Sequence, residues 1–393
     1  MSFSKQTLAA RHAVDTDQHH GAVMPPVHLS STFSFKKFGE KRQYDYTRSG
    51  NPTRSHTADI LAKLEGGAGA VITSTGMSAV TLLVNTLKQG DLVVASHDCY
   101  GGTYRLLNFL REKGIIDCQF VDYSNEPALK EALDKKPKLC WVETPSNPLL
   151  RLIDIQSVAN RCGPETKVVV DNTFLTPHGQ QPLSLGADYV IHSTTKYING
   201  HSDVVGGTVI AKDPGDYEQI AWLANCLGIT GSPFDSYLTL RGIRTLELRF
   251  KEHCRNANAI AHRLRESSLV DQVYYPGFGS PREEQLAKTQ HLLPGGMISF
   301  ELDEACDIEQ FVGQLQLFSL AESLGGVESL IAHPASMTHA AMPAEARKTA
   351  GISDRLLRLS VGIESLEDLW ADLEAAFQNC LSTKPTPRLS QGF

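Results

Sequence analysis

The chain has 393 residues, 41% of them hydrophobic and 21% charged, and at about 150 residues per domain this is material for two or three domains with a large core. A formal net charge of −7 argues against a broad basic surface for nucleic acid or an anionic membrane, so small molecules and proteins are the expected partners. No apolar run approaches the roughly 18 residues of a membrane span, and the opening MSFSKQTLAARHAVD lacks the apolar centre of a signal peptide, so a cytosolic protein is expected. The eight cysteines (Cys99, Cys118, Cys140, Cys162, Cys226, Cys254, Cys306, Cys380) are dispersed, with no C-x-x-C pair and no clustering near histidines. They read as reduced thiols rather than disulfides or zinc ligands.

Residues 1–53 carry little periodic apolar pattern but hold Pro25, Pro26 and Pro52. They are expected to form an extended arm that lies against something else, such as another subunit. From residue 54 onward, β-branched runs alternate with helix-like segments such as ALKEALD. AVITST, DLVVAS, DCQFVD, LCWVET, KVVVDN, ADYVIHS and GGTVIAK are seven candidate strands. Strands apolar on both faces and separated by helices imply a mainly parallel sheet covered on both sides, with ligands at the carboxyl ends of its strands. A long helical stretch, about 233–266, precedes a change of pattern. VDQVYYP, GGMISFELD, FSLAES and RLLRLSVGIE look like strands, and DIEQFVGQL and LEDLWADLEAAFQNC look like helices. The expected organisation is thus an arm (1–53), a large α/β domain (54–250) and a smaller α+β domain (251–393), with the KPTPRLSQGF tail frayed.

Candidate chemistry gathers at the strand ends. In ADYVIHSTTKYINGHSDVVGG, Lys196 stands among Ser193, Thr194, Thr195 and Gly200, hydroxylic and small residues of the kind that line a close approach to an anion. An arbitrary lysine is more often simply solvated. A lysine in an electropositive, partly desolvated site has a lowered pKa and can condense with a carbonyl, as the anchor of pyridoxal phosphate does. That cofactor needs a carboxylate at its ring nitrogen, and Asp171 ends the strand KVVVD, 25 residues before Lys196; a turn cap is the bland alternative. Its phosphate needs donors, and Gly76 and Met77 in STGMSAV would open a helix whose N–H groups face an anion. Its ring needs a face to pack on, and Tyr100 in SHDCYGG follows another strand.

Competing motifs fail. After Gly67 and Gly69 in EGGAGAVI, Ile72 occupies the third glycine position of the dinucleotide fingerprint; no G-x-x-x-x-G-K-[ST] occurs, and Ser78 is followed by Ala79 and Val80 rather than by a nucleophile-elbow glycine. The fourteen histidines show no metal-ligand spacing, so no metal is expected, and His192 and His201 beside Lys196 are read as structural.

YDYTRSGNPTR, EGGAGAVITSTGMSA, HDCYGGTYRL, VETPSNPLL, VVDNTF, HSTTKYINGHSDVVGG, FDSYLTLRGIRTL and ESLGGVESLIAHPASMTH together resemble the Cys/Met-metabolism group of pyridoxal-phosphate (PLP) enzymes, in order and over nearly the whole chain. The resemblance implies PLP-dependent transferase fold type I, the aspartate-aminotransferase-like arrangement of a large seven-stranded domain and a smaller one, and a homotetramer built as a dimer of dimers. It implies that Lys196 is the cofactor anchor, Asp171 the partner of the ring nitrogen and Tyr100 the stacking ring. Gly76, Met77, Ser193 and Thr195 would hold the phosphate, with Tyr46 and Arg48 reaching it from the neighbouring subunit. Arg358 would clamp the substrate carboxylate, supported by Asn147 and Ser323; from the residue alone, an ion pair at a domain seam would be the reading.

The reaction implied is γ-replacement, in which an activated homoserine ester, O-succinyl-L-homoserine, and L-cysteine give cystathionine and succinate. The alternative is γ-elimination of cystathionine to cysteine, 2-oxobutyrate and ammonia. Glu322, Asp45 and Arg105 are the candidates for recognising the distal end of the substrate. The polar Glu322 counts against a methionine-degrading relative but does not separate the first two readings.

Overall fold

A computed structural model describes residues 3–338, 347 and 350–381; the KPTPRLSQGF tail lies outside them. The arm begins with a helix, α1 (Lys5–Arg11), whose N-terminus is capped by Ser4 accepting from the Thr7 N–H. Ala9 of α1 is buried with Ile60 and Leu61 of α2 (Pro52–Glu65). The first residues of the arm thus dock on their own chain, a contact too short to leave a periodic pattern because a seven-residue helix buries one small side chain. Farther along the arm Leu29, Phe35 and Phe38 are exposed.

The large sheet contains β1 (Gly69–Thr73), β2 (Leu92–Ser96), β3 (Asp117–Val121), β4 (Leu139–Glu143), β5 (Lys167–Asp171), β6 (Tyr189–His192) and β7 (Gly207–Ala211), in the order β1-β7-β6-β5-β4-β2-β3. From β3 through β6 neighbouring strands are parallel, and β7 runs antiparallel to both β6 and β1. The seven runs expected from the sequence are these strands. The reversal at β7 has a local cause: residues 193–206 form no helix that could carry the chain back across the sheet. Val169, Tyr189 and Ile191 pack on one face and Val168, Val170 and Val190 on the other, which is why the strands read as continuous apolar runs. The covering helices include α3 (Gly76–Val84), α4 (Gly101–Glu112), α5 (Glu126–Asp134), α6 (Ile155–Arg161), α7 (Thr176–Gly179) and α8 (Pro214–Leu227).

The expected long helix is two, α9 (Pro233–Ile243) and α10 (Leu246–Glu266). At the corner Gly242 lies so close to the backbone of Asn199 that a Cβ there would collide with it. The expected domain boundary at residue 250 falls inside α10. Phe250 packs with Tyr197 and Leu246, whereas Ala257, Ile260 and Leu264 pack with Ile298 and Phe300 of the second sheet. That sheet runs β10 (Ser319–Leu320), β11 (Leu330–Ala332), β12 (Leu356–Ser360), β9 (Met297–Leu302), β8 (Val270–Tyr274). FSLAES contributes only a two-residue strand, and β11, buried throughout and three residues long, was not foreseen because so short a run has no readable period.

Candidate active site

The carboxyl ends of β4, β5 and β6 open into a cavity of about 400 Å³ whose wall includes Lys196, Asp171, Tyr100, Gly76, Met77, Ser193, Thr195, Asn147, Glu322, Ser323, Arg105 and Arg358. This volume lies within the usual range for small-molecule sites. Residues far apart in sequence meet here because parallel strands deliver all their C-terminal loops to one edge.

Lys196 follows β6 by four residues, and its Nζ donates to Ser323 Oγ at 2.6 Å. Burial, with the charge of Arg358 nearby, lowers its pKa to about 8 against the opposing pull of Glu322. Asp171 ends β5 in register with Ile191 of β6, so the acid and the lysine leave adjacent strands. Burial pushes the Asp171 carboxyl up, against hydrogen bonds from Thr173 and the charge of His192; a cationic ring nitrogen would offset that cost.

Two features of the cavity suit a phosphate. Thr75 caps α3 by accepting from the Ser78 N–H, while the Gly76 and Met77 N–H groups of the first turn have no helical acceptor. Gly76 lies against Ser193, and a Cβ on it would stand 3.0 Å from Ser193 Cβ. The Thr195 hydroxyl is engaged with Gly206, accepting its N–H at 2.9 Å. Tyr100 is 44% exposed at the start of α4 and not a core aromatic; its N–H donates to Glu143 Oε2 at 2.7 Å.

Across the cavity Arg358 lies mid-strand in β12 and is buried. Its Nη1 donates to Asn147 Oδ1 at 2.8 Å and its Nη2 to the Ser323 carbonyl at 3.0 Å, while its Nε is buried without a partner. Burial lowers its pKa to about 10, so it stays a cation at neutral pH with a donor to spare. Ser323 itself has φ +83°, a left-handed backbone uncommon outside glycine and characteristic of functional sites.

Asp45, Tyr46 and Arg48 do not line this cavity. Asp45 accepts from Ser49 Oγ and the Tyr46 N–H, Arg48 Nη1 donates to the carbonyl and Oδ1 of Asn225, and the Arg48 guanidinium lies 5.7 Å from the Tyr46 ring centroid. His192, read as structural, is fully buried with its Nε2 2.6 Å from Glu65 Oε1.

Glu143, Thr75 and Thr173 also line the cavity, and sequence reasoning missed them. Glu143 had a signal: it ends β4 as Asp171 ends β5, and the two are register partners. Burial and the facing Asp171 push the Glu143 carboxyl well up.

The buried Asp171 carboxyl and the Gly76–Ser193 cradle at the open start of α3 suit the ring nitrogen and the phosphate of pyridoxal phosphate. Among the described residues, no helix is long and apolar enough to cross a membrane.

The family model for Cys/Met metabolism PLP-dependent enzymes matches residues 6–378. The chain is 54% identical to cystathionine gamma-synthase of Escherichia coli (strain K12), over 96% of this chain and 99% of that one. It is 44% identical to cystathionine beta-lyase of Lactococcus lactis subsp. cremoris (strain MG1363), over 95% and 99%. A crystal structure of cystathionine gamma-synthase from Xanthomonas oryzae pv. oryzae in complex with cystathionine superposes with a TM-score of 0.94 and 56% identity, covering 96% of this chain and 98% of that one.

Proposed function

Given that this chain belongs to the Cys/Met metabolism family of PLP-dependent enzymes, we propose that it catalyses the gamma-synthase reaction, replacing the γ-acyloxy group of O-succinyl-L-homoserine with the thiol of L-cysteine. The observation that carries this is the full-length similarity to a gamma-synthase at 54% against 42% for a cystathionine gamma-lyase.

When bound, the cofactor supplies an electron sink for the carbon skeleton of the substrate. Lys196 would anchor it and would also serve as the mobile base of the reaction. An amine whose pKa is lowered to about 8 exchanges its proton near neutral pH far more readily than an ordinary lysine, and Ser323 Oγ at 2.6 Å steers its Nζ. The same Nζ serves at Cα and then at Cβ. Asp171 would keep the ring nitrogen cationic, Tyr100 would cover the ring, and Gly76, Met77, Ser193 and Thr195 would hold the phosphate. Arg358 offers its open Nε and the rest of its fork to the substrate α-carboxylate, with Asn147 fixing the other side. Glu322 and Arg105, at the cavity wall, receive the distal end of the substrate or the cysteine amino group.

The assembly belonging to this reading is a cytosolic homotetramer in which Tyr46, Arg48 and Asp45 complete the site of a neighbouring subunit; the exposed Leu29, Phe35 and Tyr46 of the arm support it. The deciding experiment gives the holoenzyme O-succinyl-L-homoserine with and without L-cysteine, and separately cystathionine. Cystathionine formed from ester plus cysteine is the expected product. Rapid 2-oxobutyrate from cystathionine, with no use of the ester, would make it a gamma-lyase instead.

A further inference from the structure

Helix α10 joins the two sheets, and one face of it grips both walls of the cavity. Arg249 is buried, and none of its hydrogen bonds is to a carboxylate: its Nε donates to Thr245 Oγ1 at 3.2 Å, its Nη1 to the Tyr197 carbonyl at 2.8 Å, and its Nη2 to the carbonyls of Ile198 at 3.3 Å and Gly242 at 2.8 Å. A buried guanidinium with no acid partner is costly, and burial lowers its pKa to about 10. What offsets the cost is a fork that only arginine has, gripping the two residues that follow Lys196. The turn it grips is closed by the Gly200 N–H donating to the Lys196 carbonyl at 2.8 Å. Gly200 has φ +72°, and a Cβ on it would collide with the Arg249 guanidinium. Turn and clamp are therefore built for each other.

One and two turns farther along the same face stand His253 and Asn256. His253 Nδ1 lies 2.7 Å from the Val361 carbonyl, and Asn256 Nδ2 donates to the carbonyls of Gly362 at 3.2 Å and Glu364 at 2.9 Å. These carbonyls belong to the segment leaving β12, which carries Arg358. A carbonyl accepts only, so Nδ1 carries the hydrogen; burial lowers the His253 pKa to about 4, keeping the ring neutral. Between the two grips the Tyr197 ring packs edge-on against Phe250 and His253, with centroids 5.2 and 5.1 Å away.

We propose that Arg249, His253 and Asn256 are positioning residues: a polar seam along α10 that holds the Lys196 turn and the exit of the Arg358 strand at the separation the reaction needs. The proposal rests on the roles given above to Lys196 and Arg358. Its two ends should fail differently, because one end holds the base and the other the carboxylate clamp.

The test measures kcat, KM and the pH titration of the absorbance of the lysine–cofactor linkage in holoenzyme variants. Arg249→Lys keeps the charge but loses the fork; it is expected to move the titration midpoint and lower kcat by about tenfold, with KM within about threefold. Should Arg249→Lys not fold, Gly200→Ala displaces the same guanidinium from the other side and should move the midpoint likewise. Asn256→Ala and His253→Leu are expected to raise KM for the amino-acid substrate by about tenfold and leave the titration unmoved, with His253→Asn restoring KM through its amide donor. Variants that lose only thermal stability, with kcat, KM and titration all unchanged, would reduce the seam to scaffold and overturn the proposal. Lys196→Ala checks the underlying reading separately: it must abolish the borohydride-reducible linkage, and a surviving linkage would overturn the assignment of Lys196 whatever the seam variants do.

Discussion

The two walls of the cavity hold their charged groups in opposite ways. On the large-sheet side Asp171 is the last residue of β5 and Lys196 lies beyond β6, in loops of hydroxylic and small residues. On the small-sheet side Arg358 sits in the middle of β12, where every residue is buried. A strand end leaves a side chain free to change partner and protonation; a strand centre fixes it. The lysine pKa falls to about 8, close to working pH, whereas the arginine pKa falls only to about 10 and its charge persists. In the reaction proposed above, the strand-end wall would carry the proton transfers and the strand-centre wall the recognition.

Substitutions on the two walls should therefore separate in kinetics. The largest effect is expected from Lys196→Ala, which should lower kcat by about 10³-fold, within the usual contribution of a positioned proton-transfer group, while the protein still binds PLP noncovalently. Full turnover in that variant would end the assignment. Asp171→Asn should weaken cofactor retention, read by dialysis and absorbance, and lower kcat by about 10²-fold through loss of the charge at the ring nitrogen. Arg358→Lys should act chiefly on KM, raising it about tenfold because an ammonium cannot reproduce the fork; an unchanged KM would put the carboxylate clamp elsewhere.

A further prediction concerns the frame behind both walls. Burial lowers the pKa of His12, His178, His253 and His291 to about 4, against about 6.5 in an unfolded chain. Below the unfolded value the unfolded state binds more protons than the folded one, so the stability these groups contribute is complete above pH 6.5 and is lost as pH falls toward 4. Tm measured from pH 7 to pH 4.5 should drop steadily, and a flat profile would show that these rings are not held neutral. The smallest effect on the isolated chain is expected from Tyr46→Ala with Arg48→Ala. These side chains lie outside their own cavity, so secondary structure should be retained while PLP affinity falls; unchanged affinity would remove the arm from the phosphate site.

Much of the site was legible because its residues announce themselves locally. Lys196 stands out against Thr194, Thr195 and Gly200, and Gly76 and Met77 open a helix directly after a strand, as expected. Glu143 was as well placed as Asp171 but unmarked, since a strand-end acid acquires meaning only from its neighbour in the sheet. Arg358 gave no local sign of its role: in LLRLSVG it is one charge in an apolar strand, and only the family resemblance suggested a use for it. The split of the 233–266 segment into α9 and α10 was equally hidden, because the crowding at Gly242 comes from Asn199, 43 residues earlier.

The sequence by itself determined the alternation of strands and helices, the parallel core and the residue types at the strand ends, because periodicity and burial are properties of short windows. The tertiary structure alone decided that the arm's first helix docks on α2 and that Arg358 faces Lys196 across one cavity. Those facts depend on contacts between distant segments, whose closure no local pattern encodes.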